Sequence, residues 1–185
     1  MKVPWRRGPV LPQGLSSQLA DDELVTASAE TIDGSVVVCT RRGLWRVEGQ
    51  VVDRLGWERV AKAKLSGGRL TVTGIVEVAV WADGTSVVRD AEPVEYRFER
   101  PNKVTDQVHT RVRRSVAASR HLPWPGGGGW VALRRIPGRD GLHPQLRLDP
   151  GADPAAPGLA QAVAAVLWEL RGAEPTGVTG VDDSR

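Results

Sequence analysis

The sequence predicts an α+β protein: a bent antiparallel sheet or partly open barrel capped by one helix, followed by a β-hairpin and a second helix. Three observations lead there. Valine-rich runs between residues 23 and 99 are broken at short intervals by turn signals, among them Asp33-Gly34, Glu48-Gly49, Ser66-Gly67-Gly68 and Asp83-Gly84. Apolar and polar residues alternate over 69–81, the period of a strand with one buried face. The period then lengthens. Val104, Val108, Val112 and Val116 recur every fourth residue, which predicts one apolar helix stripe over 102–121.

Residues 1–19 read as an irregular arm, because Pro4, Gly8, Pro9, Pro12 and Gly14 interrupt it; 15–19 can form a short helical turn. Strands are expected at 23–31, 35–40, 43–47 and 51–55, with short extended pieces at 57–61 and 63–65. In 69–81, Leu70, Val72, Val76, Val78 and Val80 share the parity expected to face the core, and Thr71, Thr73 and Glu77 take the other. Gly74, in the middle, predicts a bend, a bulge or a tight turn. Strands at 86–89 and 94–99 follow, with Pro93 opening the second.

The helix at 102–121 has Asn102 or Thr105 as its N-cap and Asp106 in its first turn. Its four β-branched valines are weak helix formers, so packing must hold it. The glycines at 126–129 read as a flexible linker. A hairpin at 130–136 and 142–148 surrounds the turn 137–141. A second helix over 158–171 buries Leu159, Val163, Val166, Leu167 and Leu170, and Gly172 sits at its C-terminal stop. The domain reading is therefore an arm (1–19), a β-rich unit with its closing helix (20–121), a hairpin-plus-helix extension (122–172) and a disordered tail (173–185).

Composition narrows the function classes. With 185 residues, 41% hydrophobic and 25% charged, the chain has the make-up of an ordinary soluble globular protein, one large domain or a small one with an extension. No apolar run approaches the ~20 residues of a membrane span. The basic start Met1-Lys2-Val3-Pro4-Trp5-Arg6-Arg7 leads into no apolar segment, so no secretory leader is expected. Cys39 is the single cysteine, which excludes an internal disulfide and fits a cytoplasmic location. The net charge of +3 is unevenly placed. Lys103, Arg111, Arg113, Arg114 and Arg120 face only Asp106 within 102–121, whereas 151–185 is acidic, so the two segments could pair.

The search for chemistry is nearly empty. His109, His121 and His143 are far apart in sequence, and one cysteine gives no zinc spacing, so no metal and no cofactor are expected. Cys39 follows Val36-Val37-Val38 and reads as a buried structural thiol rather than a nucleophile. Asp21-Asp22 and Asp182-Asp183 are adjacent, so on a strand they would face opposite ways; they read as turn and tail charges. The glycines at 126–129 follow Pro123-Trp124-Pro125 and precede a strand, unlike a phosphate loop, which opens a helix and supplies Lys with Ser or Thr. Seven tryptophans against one Phe and one Tyr read mostly as packing, with Trp5 and Trp124 expected to be partly exposed. The candidate binding residues are Arg111, Arg114 and Arg120 on the basic helix, with Trp124 and Trp130 beside the glycine run, where Arg134-Arg135 could join them in lining a groove.

The succession of a strand, Thr40-Arg41-Arg42-Gly43-Leu44, a turn, Leu55-Gly56-Trp57-Glu58-Arg59-Val60, Leu70-Thr71-Val72 and a closing helix resembles bacterial pleckstrin-homology-like (PH-like) domains of the GRAM type. The resemblance covers about residues 20–121. The whole chain also resembles a set of small actinobacterial proteins that join such a unit to a hairpin and helix. The resemblance implies a scaffold for lipid head groups, peptides or proteins, with no catalytic residues. Arg41, Arg42 and Arg46 lie near one turn, where a head-group site would want its cations.

The function expected is a non-catalytic PH-like interaction module that takes a protein or peptide through an open sheet edge or the groove beside the helix. The alternatives are nucleic-acid binding through the Arg-rich helix 102–121, a small enzyme, and a homodimer through an exposed sheet edge.

Overall fold

The computed structural model describes residues 11–12 and 14–172. The expected tail, most of the expected arm and Trp5 lie outside the described residues. The fold is α+β, with two sheets and two helices.

The first sheet is an antiparallel meander of β1 (Val25–Glu30), β2 (Val36–Thr40), β3 (Gly43–Glu48) and β4 (Val51–Gly56) in that order. Its hairpins close where the turn signals stand, and Gly34 and Gly49 take positive φ there. The two short pieces expected at 57–65 are instead one 3₁₀ turn, Trp57–Arg59, followed by one strand, β5 (Val60–Ser66).

β5 opens a second, strongly curled sheet of six strands. The others are β6 (Arg69–Val80), β7 (Ser86–Arg97), β8 (Val116–Leu122), β9 (Gly129–Arg134) and β10 (His143–Leu148), in the order β5-β6-β7-β10-β9-β8. Every pairing is antiparallel except β7 with β10, which are parallel through residues 86–88 of β7. β7 runs unbroken through Pro93, which was expected to start a strand. Pro93 pairs with Thr73 of β6, and β10 has left the other side of β7 by Val88, so the missing N–H removes no ladder bond there.

Helix α1 (Lys103–Ser115) is capped by Asn102, whose side chain accepts the Val104 N–H at 3.0 Å. It stops at Ser115, six residues short of the expected end. Val116 continues the every-fourth pattern but is extended, and 116–122 form β8, which pairs with β9. Tertiary pairing overrides the helical pattern at this point. The glycines at 126–129 are not a loose linker along their whole length. Gly129 starts β9, and a Cβ on Gly128 would lie 1.9 Å from the Leu122 carbonyl oxygen.

Three apolar clusters hold the fold. α1 places Val104 and Val108 on Val37, Cys39, Leu44, Trp57, Leu70 and Val72 between the two sheets. α2 (Leu159–Gly172) places Leu159, Val163, Val166 and Leu167 on Val87, Val131, Leu133 and Leu146. Leu15, in the turn after the arm, packs with Val38, Trp45 and Val47 on the outer face of the first sheet.

The β6–β7 ribbon serves the first two clusters, and Gly74 divides it. The register shifts between Thr73 and Ile75, where Gly74 faces both Ala91 and Glu92, so the irregularity expected at Gly74 is a bulge whose extra residue is on β7. Burial along β6 differs from the single buried face expected of 69–81. Leu70 and Val72 are buried, but past the bulge Ile75 is buried, and Val76, Val78 and Val80 are 47%, 42% and 59% exposed. β6 itself gains no residue at Gly74 and keeps its alternation. Val76 is exposed because it lies beyond the cluster that covers Leu70 and Val72, and only the later shift, at Val78, adds a residue to β6.

Candidate functional site

The basic turn between β2 and β3 is built by Thr40. Its hydroxyl oxygen accepts the N–H groups of Arg42 at 3.2 Å and Gly43 at 3.1 Å. Below it, buried Glu23 accepts the Thr40 hydroxyl and, at 3.0 Å, the Trp45 indole N–H. Trp57 donates its own indole N–H to the Thr40 carbonyl at 3.1 Å. The turn is thereby fixed, and Arg41 and Arg42 line two different hollows.

The larger hollow is a cleft of about 560 Å³. Its floor is the face of β6, β7, β10 and β9 turned away from α2. Val87, Leu146 and Val131 face α2, so the alternate residues Ser86, Val88, Gln145 and Arg134 line the cleft. Arg54, Glu58 and Arg59, from the end of β4 and the 3₁₀ turn, line it from the first sheet, and Arg139 lines it from the 135–142 loop.

Arg134 is the central group. It is 6% exposed and donates through Nε to Gln145 Oε1 at 3.1 Å, through one terminal nitrogen to Ser115 Oγ at 3.0 Å and through the other to the Val60 carbonyl at 3.4 Å. All three acceptors are neutral. Burial pulls its guanidinium down to about 10, a direction Arg147 reinforces and Glu58 opposes, and it stays cationic at neutral pH. Arg42 pairs with Asp22 at 2.7 Å, and Arg54 lies 5.5 Å from the centre of the Trp45 ring. Among the described residues Arg54, Arg59, Arg134 and Arg139 form no ion pair. His143 also lines the cleft, and its Nε2 is buried with no hydrogen-bond partner among the described residues.

The smaller hollow, about 140 Å³, gathers Arg41, Arg111, Arg114 and Arg135 around Trp57. Ile136 and Pro137 line both hollows and stand between them. Two of the sequence candidates, Arg111 and Arg114, are therefore together. Arg120 is not on the helix; it sits on β8 and pairs with Glu169 of α2 at 2.5 Å, and this hydrogen bond holds the Glu169 carboxyl below its ordinary range. Trp124 packs half-buried against the second cluster, close enough to Gly158 that a Cβ there would lie 3.1 Å from its ring. Trp130 is 42% exposed on β9, its ring 5.4 Å from that of His121. Trp168, not a sequence candidate, is the most exposed tryptophan of the described residues, at 78%.

Sequence reading placed Arg134 beside Trp124 and Trp130 rather than in this cleft, and missed Arg54, Arg59 and Arg139, which only the curl of the second sheet brings together with it. The one signal available was that each stands within a few residues of a strand end.

A second feature is an open edge. β5 pairs with β6 only as far as Val60 opposite Gly74, whereas β7 follows β6 to Val80 opposite Ser86. Residues 75–80 of β6 thus have a ladder partner on one side alone. Glu77 is the single charge in that stretch. A second register shift, between Glu77 and Ala79, leaves Val78 as the extra residue of another bulge.

Cys39 is fully buried, its thiol 3.8 Å from the Val104 carbonyl, and burial pushes it up to about 12. Among the described residues no three His, Cys, Asp or Glu side chains converge as a metal site, and no helix is long and apolar enough to cross a membrane. Comparison with protein-family models, curated proteins and solved structures found no match for this chain.

Proposed function

We propose that this chain is a non-catalytic interaction module, PH-like over its first unit, that takes a protein or peptide partner by adding an extended strand to the open edge of β6. The observation that carries the reading is the unpaired stretch 75–80, with Val76, Val78 and Val80 exposed beside it. Unsatisfied backbone groups along an apolar edge are a template for one more strand, and alternate side chains then set which strand fits. The bulge at Val78 twists the edge away from flatness, which disfavours indiscriminate self-pairing and favours a partner of matching curvature. A four-stranded meander, a further meander and one helix over their shared core supports the PH-like reading. The buried lone thiol suits a reducing cytoplasm.

Nucleic-acid binding is the second reading, favoured by the cluster of Arg41, Arg111, Arg114 and Arg135. α1 ends at Ser115, so the basic surface is this cluster rather than a helix face running to residue 121.

The test is capture from a lysate of the native host, with nuclease and at two salt concentrations, by the wild-type chain and by Val76→Lys/Val78→Lys. A protein retained through nuclease and salt by the wild type, and lost with the double variant, is the expected result. Capture that the edge lysines leave unchanged refutes the edge, and material that disappears with nuclease or salt transfers the function to the arginine cluster.

A further inference from the structure

We propose that the cleft between the two sheets is a binding site for a phosphate monoester, with Arg59, Arg134 and Arg139 as its principal cationic groups. The cleft shares Ile75, Glu77 and Val80 with the β6 edge, but the inference rests on its arginines and survives the failure of the edge reading.

Charge comes first. Arg42, Arg54, Arg59, Arg134 and Arg139 line the cleft against Glu58 and Glu77, and Asp22 neutralises Arg42. Five cations against three carboxylates leave an excess of two positive charges, which one dianion would neutralise. A phosphate monoester carries that charge above its second pKa of about 6. A carboxylate supplies half of it.

Burial comes second. A guanidinium at 6% exposure with only neutral hydrogen-bond acceptors is a charge taken out of water, with Glu58 as a carboxylate that acts on it without a salt bridge. Its three bonds fix the plane of the group, so the cleft is organised before any ligand arrives. An anion in the cleft supplies the missing compensation in surroundings where the interaction is weakly screened. The His143 Nε2, a polar atom on the same wall with no bond among the described residues, provides one neutral partner more.

Geometry comes third. The volume of about 560 Å³ suits a small molecule rather than a bare ion. Arginine matches a phosphate with paired, fork-like N–H groups. Arg59 and Arg139 are exposed and belong to separate elements, so they can close on a ligand from two sides, while Arg134 stays fixed beneath it. The uncharged part of the ligand would rest on Ile75, Val88 and Pro137.

A phosphate monoester can be free or lipid-borne, and the test separates the two sources. Calorimetric titration with glycerol 3-phosphate, with glycerol as the uncharged control, reads the free source. Sedimentation with phosphatidic acid vesicles, against phosphatidylcholine vesicles, reads the lipid source. Expected is saturable binding of glycerol 3-phosphate or of phosphatidic acid vesicles, weakened about tenfold or more by each of Arg59→Ala and Arg139→Ala, as befits a lost hydrogen bond to a charged group. Arg100→Ala, outside the cleft, should leave it unchanged. Both cleft side chains are exposed, so these variants fold; circular dichroism checks it. Binding of neither probe overturns the proposal, as does an equal loss with Arg100→Ala. A single-stranded oligonucleotide that binds, is lost with Arg111→Ala/Arg114→Ala and is not displaced by glycerol 3-phosphate overturns it in favour of nucleic acid.

Discussion

The two halves of the β6–β7 ribbon both carry branched apolar side chains and end in opposite environments. Before Gly74, Leu70 and Val72 lie under α1, and β5 covers the free side of β6. After Gly74, Ile75 turns inward, Val76, Val78 and Val80 remain exposed, and no strand flanks β6 on that side. Hydrophobicity does not explain the difference, since the exposed half, Ile75-Val76-Glu77-Val78-Ala79-Val80, is the more apolar of the two. Cover separates the halves. β6 keeps its alternation through Gly74, but the face that carries Leu70 and Val72 leaves the cluster under α1 after Val72, so a run that reads as one buried face becomes half core and half surface.

The difference between the halves can be broken by substitution. Leu70→Ala should cost about 2–5 kcal/mol, because it removes a fully buried side chain and leaves a cavity. Val78→Ala should change stability by less than about 0.5 kcal/mol. Urea denaturation of both variants reads this directly, and equal losses would mean that the cover over β6 does not end at Gly74.

Glycine substitutions sharpen it next. Gly128→Ala should destabilise by about 2 kcal/mol or more, since its Cβ would meet the Leu122 carbonyl oxygen at 1.9 Å and the backbone must move. Gly74→Ala should cost no more than about 1 kcal/mol. A Cβ there finds the Leu55 side chain at 3.5 Å, ordinary contact, and its φ is not in the left-handed region. The bulge thus depends on the register of the ribbon rather than on the absence of a side chain, and thermal melts of the two variants would show it.

A smaller effect separates the first sheet from the ribbon. The Thr31 hydroxyl, and then the Ser35 N–H and hydroxyl, bond the Asp33 carboxylate at the β1–β2 turn and hold it down to about 2. A carboxyl lowered in the folded state adds stability that is present above its ordinary value near 3.8 and is lost as pH falls through about 2. Asp33→Asn should therefore flatten the acid limb of the stability curve between pH 4 and 2, and leave the differences between the two ribbon halves untouched. A parallel acid titration of the melting temperature checks both.

Most of the first unit was legible in the sequence, because its strands are short and turn residues close each hairpin. Asn102 as a cap and Gly74 as an irregularity were legible for the same local reason. Three features were not. Val116 keeps the helical spacing, so the change to β8 is invisible without β9, which lies beyond a loop. Pro93 sits inside β7 only because β10 has already left that side. The cleft is assembled from Arg42, Arg54, Arg59, Arg134 and Arg139, whose nearness is a product of sheet curl and β9–β10 pairing rather than of spacing along the chain. Arg111 and Arg114 were found because they are close in sequence, and Arg120 was grouped with them for that reason alone.

Native-state amide hydrogen exchange along β6 tests the divided ribbon most directly. Slow exchange is expected throughout residues 69–73, which have strands on both sides, with fast exchange at alternate amides of 75–80, where one side is open. Those fast amides should slow when a captured partner is bound. Uniform protection up to Val80 in the free protein would mean that the edge is already covered, and would contradict the reading of this strand as the place where a partner docks.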